Sequence, residues 1–138
     1  MILNISLQAY FLRTVHIDPA GYSKLIVVTN EWHMDRTKAL FNHVFSLPTT
    51  TSLISKFFKR KYHIEYVPVG SGIADENLLK VRREKETASL QTFEKSVKHE
   101  FNSLLTLHDW IFTQHKAYAT SRHSNKVDSI NPELLKTY

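Results

Sequence analysis

Side chains able to do chemistry come closest together in the stretch VVTNEWHMDR, residues 27–36. His33 and Arg36 are three residues apart, so on a helix both project to one side near its first turn. An arginine there grips an oxyanion in a two-pronged way, and a neutral imidazole accepts or donates a single proton near neutral pH. Thr29 adds a hydroxyl and Asn30 an amide just before that turn. The chemistry these residues suggest is recognition of an anionic group, a phosphate or a carboxylate. Thr29, Asn30, His33 and Arg36 are the candidate contacts, and His33 is the candidate acid/base. A plainer account uses the same letters: Arg36 pairs with Asp35, Glu31 or a more distant carboxylate, and His33 fills a hydrogen-bonding pocket.

The flanking pattern supplies the elements that must position these groups. KLIVVT at 24–29 is a continuous, largely β-branched run, which predicts a strand buried on both faces. From about Trp32 to Ser46 a helix follows, with Thr37, Leu40, Phe41 and Val44 on one face and Pro48 beyond its end. In alternating α and β architecture ligands sit beyond the carboxyl ends of strands, where exposed amide groups of the next helix attract anions. Upstream, SLQAYFLRTVHI at 6–17 places Leu7, Phe11 and Val15 at spacing four with Tyr10 beside them, the face of a helix stopped by DPAG at 18–21, where Pro19 follows the end. Downstream, IEYVPV at 64–69 alternates as a strand, with Pro68 marking an end or an edge.

GSG at 70–72 then makes a turn, and residues 75–100 read as a long helix with Leu90, Phe93, Val97 and then Phe101 in its stripe. A last helix is expected from Thr106 to Ala119, with TLHD at 106–109 as a capping box. The residues from 120 form a polar tail, apart from NPELLKTY, where Asn131 and Pro132 could start another turn. Four helices with two strands leave a shortage, because a parallel sheet covered on both faces is seldom so small.

Composition narrows the function classes. The chain has 138 residues, the size of one ordinary domain, with 42% apolar and 22% charged residues, a globular balance. It contains no cysteine, which excludes disulfides and thiolate zinc sites and suits a reducing, intracellular compartment. The formal charge of +5 is compatible with nucleic acid, anionic lipid or a phosphorylated ligand, but it equally serves solubility. No apolar run is long enough to span a bilayer, and the N-terminus lacks the pattern of a signal peptide.

KFFKRKYH at 56–63 interleaves basic and aromatic residues, although so short a run is an incomplete nucleic-acid surface. The eight histidines form no His-Glu-x-x-His and no compact cluster, so no metal site is expected. No Gly-x-Ser-x-Gly elbow or phosphate-binding loop occurs. RREKE at 82–86 reads as a solvated face with Arg82 beside Glu86 at helical spacing.

LIVVTNEWHMDRTKALFNHVF resembles the signature of the YdcF/SanA/ElyC-like family, a strand followed by Thr-Ser-x-x-His-x-x-Arg. Thr29, His33 and Arg36 match it, and Asn30 stands where the family has serine. AYFLRTVH, RREKETASL and LHDWIFTQHKAY are similar to segments of its eukaryotic members, so the resemblance runs from about Ala9 to Tyr118. It implies a three-layer α/β/α, Rossmann-like domain over residues 1–119 with a mainly parallel sheet and a cavity at the strand ends.

Bacterial members have been linked to cell-envelope functions and one to S-adenosylmethionine, with no reaction common to the family. A nucleotide or S-adenosylmethionine is therefore the implied class of cofactor, and Arg83, in a segment similar to the family's, is added as a residue turned towards the ligand. The family's opening strand and glycine-rich turn have no counterpart before Ala9. The expectation is an N-terminally shortened member whose incomplete sheet promotes self-association. Two functions follow: a protein binding an anionic or nucleotide-like small molecule at 29–36, or a non-catalytic interaction or structural module, including a truncated, inactive family member.

Overall fold

A computed structural model describes residues 3–53 and 60–113. Of these, the residues up to Leu107 belong to one compact unit, and those from His108 to Thr113 to another. The expected extension of the last helix to Ala119, the polar tail and much of KFFKRKYH lie outside the described residues.

The fold is mixed α/β, with four helical runs and a two-stranded parallel sheet among the described residues. Helix α1 covers residues 3–20: an α-helix Leu3–Phe11, a wider π-helical stretch Leu12–Ile17, and a final turn Asp18–Ala20. Pro19 sits inside that final turn rather than after the helix end, where the sequence places it. Gly21 then turns the chain with φ of 76°, a left-handed conformation that favours glycine.

Strand β1 is Lys24–Asn30, helix α2 is Glu31–Ser46 and strand β2 is His63–Val69. The strands run parallel from Lys24 opposite His63 to Asn30 opposite Val69. Helix α3 covers residues 76–100, again with a π-helical stretch at Phe93–Val97, and α4 is Leu104–Thr113.

Helix α2 is the hub, in contact with α1, α3 and both strands. Its Thr37, Leu40, Phe41 and Val44 are buried, as the spacing predicts. The inner face of the sheet looks towards it: the Tyr66 hydroxyl donates to Asn42 Oδ1 at 2.8 Å, and Lys38 lies over the Tyr66 ring. The other sheet face is open. Ile26 is 68% and Val28 58% exposed, with Val67 and Val69 beside them on β2. The expectation that β1 is buried on both faces is therefore corrected. A continuous apolar run satisfies a two-sided strand and a one-sided strand equally, so the letters do not separate the two.

The buried face of α1 also differs from the apolar spacing. It keeps the expected Leu7 and Tyr10 but otherwise runs through Ser6, Arg13 and Ile17, whereas Val15 is exposed. Arg13 explains the difference, because its guanidinium Nη1 donates to the carbonyls of Val44 at 2.7 Å and Leu47 at 2.9 Å, closing the carboxyl end of α2. Nε of the same guanidinium meets Asp18 at 3.3 Å and the Tyr62 hydroxyl at 3.2 Å, and Tyr62 in turn donates to Asp18.

Helix α4 begins two residues before the predicted start. Its capping box joins Ser103 to Thr106 rather than Thr106 to Asp109: Ser103 Oγ accepts from the Thr106 N–H at 3.1 Å, and Thr106 Oγ1 accepts from the Ser103 N–H at 3.2 Å. The N–H groups of Leu104 and Leu105 donate to the carbonyls of Pro48 and Thr49, fastening this start just past the end of α2.

Candidate functional site

The junction of β1 with α2 forms as the sequence predicts. Asn30 leaves the strand in extended conformation (φ −61°, ψ 143°) and α2 starts at Glu31. The Asn30 side chain does not cap the helix, and among the described residues neither it nor the Thr29 hydroxyl makes a hydrogen bond. Trp32 anchors the junction to the glycine turn after β2, its indole N–H donating to the Ser71 carbonyl at 3.0 Å. Asp75 starts α3 by accepting from the N–H groups of Asn77 and Leu78.

One turn into α2, His33 and Arg36 come together as their spacing requires, and both face a carboxylate from α3. Glu86 Oε1 accepts from Arg36 Nη2 at 3.0 Å, and Glu86 Oε2 lies 2.6 Å from Arg36 Nε. The Nε–H is not aligned with Oε2, so this shorter contact is ionic rather than a directed hydrogen bond. Oε2 also lies 2.7 Å from His33 Nδ1, and Arg36 Nη2 is 3.4 Å from the same ring nitrogen. Arg36 is only 4% exposed, whereas the His33 ring and the Glu86 carboxylate are partly buried.

The arrangement orders three charged or titratable groups with no outside ligand. When Glu86 accepts from Nδ1–H, the imidazole is held as the tautomer whose Nε2 carries the lone pair, and Arg36 fixes the carboxylate from behind. The position that an oxyanion would take on Arg36 holds Glu86.

Beside this triad is a cleft of about 310 Å³, lined in part by Glu31, Asp35, Arg36, Arg83 and Glu86. Arg83 is among the lining residues, and its guanidinium pairs with Glu31 at 2.9 Å, with the two side chains 56% and 48% exposed. Three carboxylates thus line the cleft against two guanidiniums. Thr29, Asn30 and His33 are not among its lining residues. Trp32 forms another wall, and Arg82 stands over its ring. Arg82 is therefore turned towards Trp32, and Glu86 towards Arg36 and His33.

Glu86 was missed by the sequence reading. It lies among alternating charges where helical spacing gives it an adequate partner in Arg82, and nothing local distinguishes it from Glu84. Arg13, Asp18 and Tyr62 were missed for a related reason, because their partners lie on other elements. No group of three or more His, Cys, Asp or Glu residues among the described residues is arranged to hold a metal ion. No helix among them is long and apolar enough to cross a membrane. No family model, curated protein or solved structure matches the chain.

Proposed function

We propose that this chain acts as a non-catalytic interaction module on a YdcF-like α/β scaffold, with the residues of the family-like signature serving to join α2 to α3. The observation that carries this reading is the buried Arg36 side chain closed on Glu86. The internal carboxylate takes the Nη2–H donor and neutralises the guanidinium charge that an external phosphate or carboxylate would need, and it is held in place by the fold. A nucleotide polyphosphate fits the cleft poorly, because three carboxylates face it and neither guanidinium is free of a partner. The open apolar face of the sheet supports the interaction side of the reading, since contiguous apolar surface marks contact sites. A three-layer α/β/α arrangement would then be completed by whatever covers that face, including a second copy of the chain.

A second reading rests on Arg83. Its ion pair with Glu31 is exposed on both sides, and such pairs exchange at little cost. An anionic or nucleotide-like small molecule entering the cleft would displace Glu31 and take Arg83. Thr29, Asn30 and His33 lie outside the cleft lining and would be contacts only for a ligand that extends past it to the junction of β1 and α2.

A thermal-shift screen of the full chain with nucleotides, S-adenosylmethionine and phosphosugars separates the two. The module reading expects no saturable rise in Tm with any of them. A rise that is lost in Arg83→Ala overturns it in favour of the second reading.

A further inference from the structure

We propose that β1 pairs edge to edge with β1 of a second copy of this chain, in antiparallel register centred on Val27. The proposal deepens the interaction-module reading and rests on it. Three observations lead here.

Among the described residues β1 is hydrogen-bonded to β2 along one side only, which leaves a seven-residue strand with a free edge. A free edge is a template for another strand, and proteins commonly blunt such edges with proline or charge. β2 carries both, Pro68 and Glu65, whereas β1 from Leu25 to Thr29 carries neither. The competent edge is therefore that of β1.

What selects a second copy as the occupant is the strand's own composition. Laid antiparallel on itself about Val27, β1 sets Ile26 opposite Val28, Leu25 opposite Thr29 and its one charge, Lys24, opposite the neutral Asn30. Both Ile26–Val28 pairs fall on the open face, where directly opposed β-branched side chains stabilise antiparallel pairing. The same alignment of β2 about Tyr66 would set Glu65 opposite Val67 and Pro68 opposite Ile64, losing a ladder donor. A two-fold axis through Val27 makes an isologous contact that closes at two copies, extending the sheet from two strands to four.

Sedimentation equilibrium of the full chain over a concentration series, combined with reciprocal charge variants, tests the pairing. Wild type is expected to show a concentration-dependent rise to twice the monomer mass. Ile26→Lys/Val28→Lys sets lysine against lysine at both pairs, and Ile26→Glu/Val28→Glu sets glutamate against glutamate. Each is expected to stay at monomer mass, and an equimolar mixture of the two to recover the dimer.

Circular dichroism confirms that each variant is folded, which the exposure of both side chains favours. Val27→Cys supplies an independent readout, because the chain has no other thiol and the two copies of residue 27 would be directly opposed. A disulfide-linked dimer is expected on mild oxidation, whereas face-to-face stacking would leave these inward-facing thiols apart. A wild-type chain that remains monomeric, variants that dimerise as well as wild type, or no cross-link at Val27→Cys in a dimeric sample each overturn the pairing. The module reading falls separately, to a ligand found in the thermal-shift screen.

Discussion

Glu86 Oε1 and Oε2 both lie against the guanidinium of Arg36, at 3.0 Å from Nη2 and 2.6 Å from Nε, and bind the first turns of α2 to the middle of α3. The pair is largely buried, so its members depend on each other more than a surface pair would. Removing the carboxylate with Glu86→Ala leaves a buried guanidinium without its counter-charge, and the expected loss is about 3–5 kcal/mol. Urea denaturation measures it. The double variant Arg36→Met/Glu86→Leu, which removes both charges, is expected to recover much of that loss. A Glu86→Ala protein as stable as wild type would show that the pair is peripheral.

Arg13 has the corresponding role at the other end of α2. Arg13→Ala removes the donors that satisfy the carbonyls of Val44 and Leu47, together with an ionic contact to Asp18. A loss of about 1.5–3 kcal/mol is expected, the range for hydrogen bonds made by a charged group. Arg13→Lys should recover only part of it, because one ammonium cannot reproduce the guanidinium fork.

His43 makes stability depend on pH. Its Nε2 is buried without a hydrogen-bond partner among the described residues, and its ring packs T-shaped with that of Phe93. Burial lowers its pKa below the ordinary 6.5, Lys98 and His99 act in the same direction, and Glu94 opposes them. The unfolded chain therefore takes up this proton first as pH falls. Stability contributed by neutral His43 is present above about 6.5 and is lost as pH drops from there towards the folded-state value. Chemical denaturation between pH 7.5 and about 5 should show this slope in wild type, reduced in His43→Phe. An unchanged slope in the variant would assign the titration to other groups.

The start of α4 offers a smaller, local test. Ser103→Ala deletes the side-chain oxygen that accepts from the Thr106 N–H and is expected to cost about 1 kcal/mol. Thr106→Val, which removes the reciprocal half of the box, should cost a similar amount. Asp109→Ala is expected to be nearly neutral.

The elements were largely legible in the letters: both strands, the α2 stripe of Thr37, Leu40, Phe41 and Val44, and the meeting of His33 with Arg36 follow from spacing within one element. The misreadings share a cause. Arg13 and Glu86 are charged residues that patterning assigns to solvent, yet each turns inward because its partner lies on another element, the end of α2 for one and its beginning for the other. Likewise LIVVT reads as buried on both sides because apolar character records what a strand tolerates, and what covers Ile26 and Val28 is a property of neighbours.

The central claim is that Glu86 holds the place an anionic ligand would occupy on Arg36. Its most direct test follows the Arg36 Nε–Hε resonance of the full chain by NMR during titration with inorganic phosphate and then with a nucleoside triphosphate. The account expects this resonance to show no saturable shift in wild type, with any weak response confined to Arg83. A saturable shift at Arg36, with His33 moving along the same binding curve, would contradict it and establish the junction of β1 and α2 as a working anion site.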